Sequence, residues 1–88
     1  MEINRIIIWT NPTAPFQKIY VMKDGSLVDQ MGVKFEDVED VTYALANKYD
    51  ITEIHVSGAR AYGEKIAHDI ENNQVIHYGH KQFNISFV

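Results

Sequence analysis

The first apolar run, Ile6-Ile7-Ile8-Trp9, is β-branched or aromatic and does not alternate with polar residues. That pattern predicts a first strand over residues 3–10, central in its sheet and buried on both faces. Thr10-Asn11-Pro12-Thr13-Ala14-Pro15 stops it, because proline has no amide hydrogen to give to a ladder or a helix. Around Asp24-Gly25, apolar and polar positions alternate from Gln17 to Lys23 and from Ser26 to Met31. Asp-Gly between two alternating runs predicts a two-residue type I′ hairpin, whose central residues both need positive φ. The expected register sets Val21 against Val28 and Met22 against Leu27.

After Gly32 the period lengthens. Phe35, Val38, Val41, Leu45 and Tyr49 recur at three- and four-residue steps, which predicts a helix over 35–49 with one apolar stripe. Glu36, Asp37, Glu39 and Asp40 fill its first turns and Lys48 its last, as the helix dipole favours. Ile51 to Ser57 reads as a strand, with Ile54 and Val56 on one face. A second helix is expected over 59–72, burying Tyr62, Ile66 and Ile70 beside the small residues Ala59, Gly63 and Ala67, and stopping at Asn72-Asn73. Gln74 to Tyr78 and Phe83 to Val88 read as two last strands about a turn at Gly79-His80-Lys81. The order β-β-β-α-β-α-β-β predicts a single α/β domain over residues 1–88. A hairpin and parallel strands, joined by right-handed crossovers, form one mixed sheet of six strands with two helices.

Composition narrows the chemistry. No cysteine is present among the 88 residues, which excludes a disulfide scaffold, a thiolate zinc site and a cysteine nucleophile. The net charge of −4 opposes a general nucleic-acid binder, whose affinity depends on clustered Lys and Arg. The Met1-Glu2-Ile3-Asn4-Arg5 start lacks the pattern of a signal peptide. No apolar run approaches the ~20 residues of a membrane span. A cytoplasmic protein without a membrane anchor is expected.

The element order resembles that of the ribonuclease H-like superfold, in which three antiparallel strands precede helix, strand, helix, strand. The likeness covers 3–78 and is one of topology. In the nucleases of that superfold, carboxylates on the first strand, the first helix and the end of the fourth strand hold divalent metal ions, because Mg²⁺ takes hard oxygen ligands. Here the first strand offers Asn4, Thr10 and Asn11, and the fourth ends in Ser57. The resemblance therefore implies the fold without the metal chemistry, and neither metal nor cofactor is expected. Ile54-His55-Val56-Ser57-Gly58, with the Tyr-containing helix after it, is also similar to small bacteriophage proteins. That similarity implies a phage-encoded chain and supplies no activity.

One segment carries a case for ligand binding: Ser57, Gly58, Ala59, Arg60 and Tyr62, joining a strand to a helix. Free amides at a helix start favour anions, glycine permits close approach, and arginine can grip phosphate or carboxylate. The plain alternative is a Ser57 cap, a Gly58 turn and a solvated Arg60. The segment matches neither the P-loop nor the dinucleotide fingerprint. His77 and His80 flank a turn without the further ligands that zinc needs, and Ser57 with His55 or His68 lacks a nucleophile elbow and an orienting acid. No catalytic residue is assigned. Tyr20 and Met22 on the hairpin, and Phe83, Ile85 and Phe87 on the last strand, are expected partner contacts. The sequence thus predicts a small non-enzymatic interaction protein, holding a protein partner or its own copy through an edge strand or hairpin. A nucleotide or other small anion at the Ser57–Tyr62 loop is the second reading, and an acidic nucleic-acid mimic at Glu36–Asp40 a distant third.

Overall fold

A computed structural model describes residues 4–58, 60–78 and 83–87, and at 60, 61 and 73–78 the backbone alone. The strands are β1 (Arg5–Thr10), β2 (Gln17–Lys23), β3 (Ser26–Val33), β4 (Glu53–Gly58) and β5 (Asn84–Phe87), and the helices α1 (Val38–Tyr49) and α2 (Arg60–Tyr78). A 3-10 turn, Phe35–Asp37, leads into α1. The strands form one mixed sheet in the order β3-β2-β1-β4-β5. β1-β2 and β2-β3 are antiparallel, and β1-β4 and β4-β5 are parallel. A mixed sheet with two helices is the α/β class that the periodicities predict.

The hairpin forms where Asp24-Gly25 places it, with φ of 53° and 78° at the two turn residues. Met22 faces Leu27 as expected, but Val21 faces Asp29 rather than Val28. Val28 is the extra residue of a bulge, which the turn chemistry does not specify. At the other end of the chain the sheet has five strands among the described residues, not six. Gln74 to Tyr78 continues α2 instead of pairing. Asparagine costs a helix interior under ~1 kcal/mol relative to alanine, so Asn72-Asn73 does not break the helix as proline would. The place beside β4 is taken by Asn84–Phe87. The expected turn at 79–81 lies outside the described residues.

Both helices cover the same face of the sheet. Val38, Tyr43, Leu45 and Ala46 of α1 and Ile66 and Ile70 of α2 join Ile6, Ile8, Ile19, Val21, Ile54 and Val56 in one buried cluster. Full burial of each such aliphatic side chain is worth ~1.5–3 kcal/mol. Phe83 is buried and Ile85 packs against this cluster, so these two expected partner contacts close the core instead. Gly63 lets α2 settle on β4, since a Cβ there would come within 2.8 Å of Val56. β1 is central but is not buried on both faces: Ile6, Ile8 and Thr10 point into the core, whereas Trp9 is 47% exposed. Among the described residues nothing covers the second face.

Candidate functional site

The carboxyl ends of the parallel strands β1 and β4 lie side by side, with Trp9 opposite Ser57 and Thr10 opposite Gly58. The Thr10 hydroxyl donates to the Ser57 carbonyl at 2.9 Å, fastening the two strands at their tips. Gly58 has φ of +96°, and a Cβ on it would meet the Thr10 carbonyl oxygen at 2.0 Å. The bare Cα is thus required by the approach of β1, a role beside any approach of a ligand. Ser57 belongs to β4, and Tyr62 lies on the first turns of α2. Ala59 and the side chain of Arg60 lie outside the described residues.

Tyr62 opens onto a groove of about 500 Å³ that the sequence did not reveal. Two connections and a helix wall it: Pro12 and Phe16 between β1 and β2, Lys34 and Phe35 between β3 and α1, and Tyr62 and Lys65 on α2. The Phe35 and Tyr62 rings meet at 4.8 Å between centroids, tilted by 57°. Phe16 and Tyr62 remain 49% and 39% exposed. Lys65 reaches Asp69 one turn along α2 at 2.9 Å. These residues are distant in sequence, so no local motif announces the groove.

A buried polar side chain holds the first wall in place. Gln17 is 2% exposed; its amide nitrogen donates to the Asn11 carbonyl at 3.0 Å, and its oxygen accepts the Asn11 N–H. The side chain thereby acts as a further rung of ladder after β1 ends. Within the loop, Asn11 Oδ1 accepts from the Thr13 N–H at 3.0 Å and the Thr13 hydroxyl at 2.9 Å, and the Ala14 N–H reaches the Asn11 carbonyl. Proline at the second position suits such a turn, its φ being already set.

The uncovered face of the sheet is the second surface with chemical character. Cross-strand pairing aligns Leu27 with Met22 and Tyr20 with Ile7, and Trp9 follows Ile7 on the same face of β1. Together they make an apolar diagonal from the hairpin to the centre of the sheet. Arg5, paired with Met22, and Lys18, paired with Trp9, flank it. His55 stands on this face 4.0 Å from Glu53, while His68 lies exposed on α2 beside Asp69. The two histidines considered with Ser57 therefore occupy opposite layers, and no triad is assembled from them. Among the described residues no three His, Cys, Asp or Glu side chains converge as a metal site, and no helix is long and apolar enough to cross a membrane.

No protein-family model matches the chain, and no curated protein matches it at a significant level. Its architecture alone places it: an α/β domain in which one mixed sheet carries two helices on a single face.

Proposed function

We propose that this is a small non-enzymatic interaction protein, phage-encoded and cytoplasmic, that holds a protein partner on its hairpin and the open face of its sheet. The observation that carries the reading is the diagonal of Leu27, Met22, Tyr20, Ile7 and Trp9, with Leu27 48% and Trp9 47% exposed. Aromatic residues and Met on a surface, with an arginine such as Arg5 beside them, are the composition that protein interfaces favour. Among the described residues the outer edge of β3 has no strand beside it; it adjoins this diagonal and supports strand addition by a partner. The bulge at Val28 interrupts the edge near the turn, which favours the Gln30–Val33 stretch for such pairing. The strand order supports kinship of architecture with the ribonuclease H-like superfold. β1 brings no carboxylate to its carboxyl end, so the kinship carries no metal-dependent cleavage.

Trp9 is the sole tryptophan of the chain and reports directly on this face. A photo-cross-linking residue at Lys18 should capture the partner, or a second copy, and one at Glu64 on the helix layer should not. Emission of Trp9 should move to shorter wavelength as the complex forms. Leu27→Asp should weaken the complex at least ~10-fold, as loss of a buried anchor does. Capture from Glu64 alone, or an unimpaired Leu27→Asp variant, would remove the case for the open face.

A further inference from the structure

We propose that the groove between Phe16, Lys34, Phe35 and Tyr62 binds a small molecule with a flat aromatic ring and an anionic group, phosphate or carboxylate. The argument begins with topology. From the carboxyl end of β1 the chain turns to β2 on one side; from the carboxyl end of β4 it passes through α2 to β5 on the other. Connections that diverge from neighbouring parallel strands leave a crevice between them, and ligands of open α/β sheets bind there. The groove occupies this position, with the β1-β2 connection on one wall and α2 on the other. Its volume of about 500 Å³ falls within the range of small-molecule sites.

The lining selects the chemistry. Phe16, Phe35 and Tyr62 offer ring faces and edges, and Pro12 adds a rigid apolar side. Aromatic rings left open to water at the mouth of a concave site give a planar ligand more contact area than they give one another. Lys34 and Lys65 stand at the groove against a single carboxylate, Glu36. With Asp69 on Lys65 the charges about the groove balance, so an anion is favoured at the Lys34 ammonium and not by a general positive field. Lys34 serves as the principal contact, because Lys65 is engaged with Asp69 and must turn from it to assist. The wall that carries Pro12 and Phe16 is held by Gln17 before any ligand arrives, so little ordering is left to offset binding. This site is separate from the open sheet face and does not depend on the partner proposed above.

The test is an amide NMR titration of the whole chain with four probes: adenosine 5′-monophosphate, 4-hydroxyphenylacetate, adenosine and inorganic phosphate. At least one of the two probes that combine ring and anion should bind ≥ ~10-fold tighter than adenosine or phosphate, shifting the amides of Phe35, Tyr62 and Lys65. Preference for the first identifies a nucleotide-like ligand, and preference for the second an aromatic acid. Lys34→Ala should weaken the better probe ~10-fold, Tyr62→Ala by a similar factor, and Leu27→Asp on the open face not at all. Lys34 is exposed, so its variant folds whatever becomes of Tyr62. If neither combined probe shifts those amides at ~1 mM, or if binding ignores both Lys34→Ala and Tyr62→Ala, the proposal fails.

Discussion

At Gly58 two constraints act on one residue. Its φ of +96° disfavours any L side chain, and a Cβ would fall 2.0 Å from the Thr10 carbonyl oxygen. Gly58→Ala should therefore cost roughly 2–4 kcal/mol in urea melts, through strain and through parting of the β1-β4 tips. Gly32→Ala is the control: its Cβ would meet Phe16 at 3.4 Å with no positive φ, and a change within about 1 kcal/mol is expected. Tyr43 links stability to pH. Its hydroxyl donates to the Ile70 carbonyl at 2.7 Å, with a Glu39 carboxylate oxygen 3.3 Å away. Burial first, and then the charge of Glu39, push the phenol well above its ordinary range. The folded state thus holds this proton more tightly than the unfolded chain does. The associated stability is complete below about pH 10 and is lost as pH rises from there toward the folded-state pKa. Tyr43→Phe should lose ~1 kcal/mol at neutral pH and show a shallower alkaline decline in chemical denaturation.

Among the elements, the connection from β1 to β2 shows how a loop is made into a wall. Its two prolines stop the strand, and the Gln17 side chain completes the hydrogen bonding that they interrupt. Gln17→Leu fills similar volume but leaves the half-buried Asn11 N–H without its acceptor, so a loss of ~1–2 kcal/mol is expected. Amide exchange in 11–16 should quicken more than exchange in the core strands; equal protection in variant and wild type would show that the loop holds itself. The end of α1 is similarly tied to the hairpin. Lys23 Nζ donates to the Tyr49 carbonyl at 2.9 Å, and the Tyr49 hydroxyl reaches Asp29 at 3.1 Å. Alternation was enough to locate both hairpin strands, whereas the bulge at Val28 left no local mark. The buried stripe of the second helix was legible at Ile66 and Ile70 but not at Tyr62, which is exposed at the groove. The helix end was misread, because a short apolar run such as Gln74–Tyr78 carries too few periods to separate strand from helix.

For the molecule as a whole, a core on one face of the sheet makes neighbouring residues unequal. Ile8 is fully buried beneath the helices, while Ile7, next along β1, is half-buried on the open face. Ile8→Ala should cost ~2–5 kcal/mol, and Ile7→Ala well under half as much. Equal losses in denaturant titrations would mean that a further layer covers the second face. A partner bound there should change this contrast, protecting Ile7 and Trp9 while leaving Ile8 unaffected.

Local chemistry determined the elements. Asp24-Gly25 supplies the positive φ of the hairpin turn, Pro12 and Pro15 end the first strand, and the three- and four-residue steps from Phe35 to Tyr49 carry one helix. The absence of carboxylates from β1 and of cysteine throughout was equally plain, since residue type alone decides it. The tertiary structure decided which face of the sheet the helices share. An unbroken Ile6–Trp9 run satisfies a strand covered on both sides as well as one covered on a single side, so the run by itself does not place Trp9 on an open face. It also decided the groove, whose Phe16 and Lys34 come from two separate connections and whose Tyr62 comes from α2. Periodicity records the environment of a residue along its own element; only packing sets one element beside another, and a site shared by three of them leaves no spacing to read.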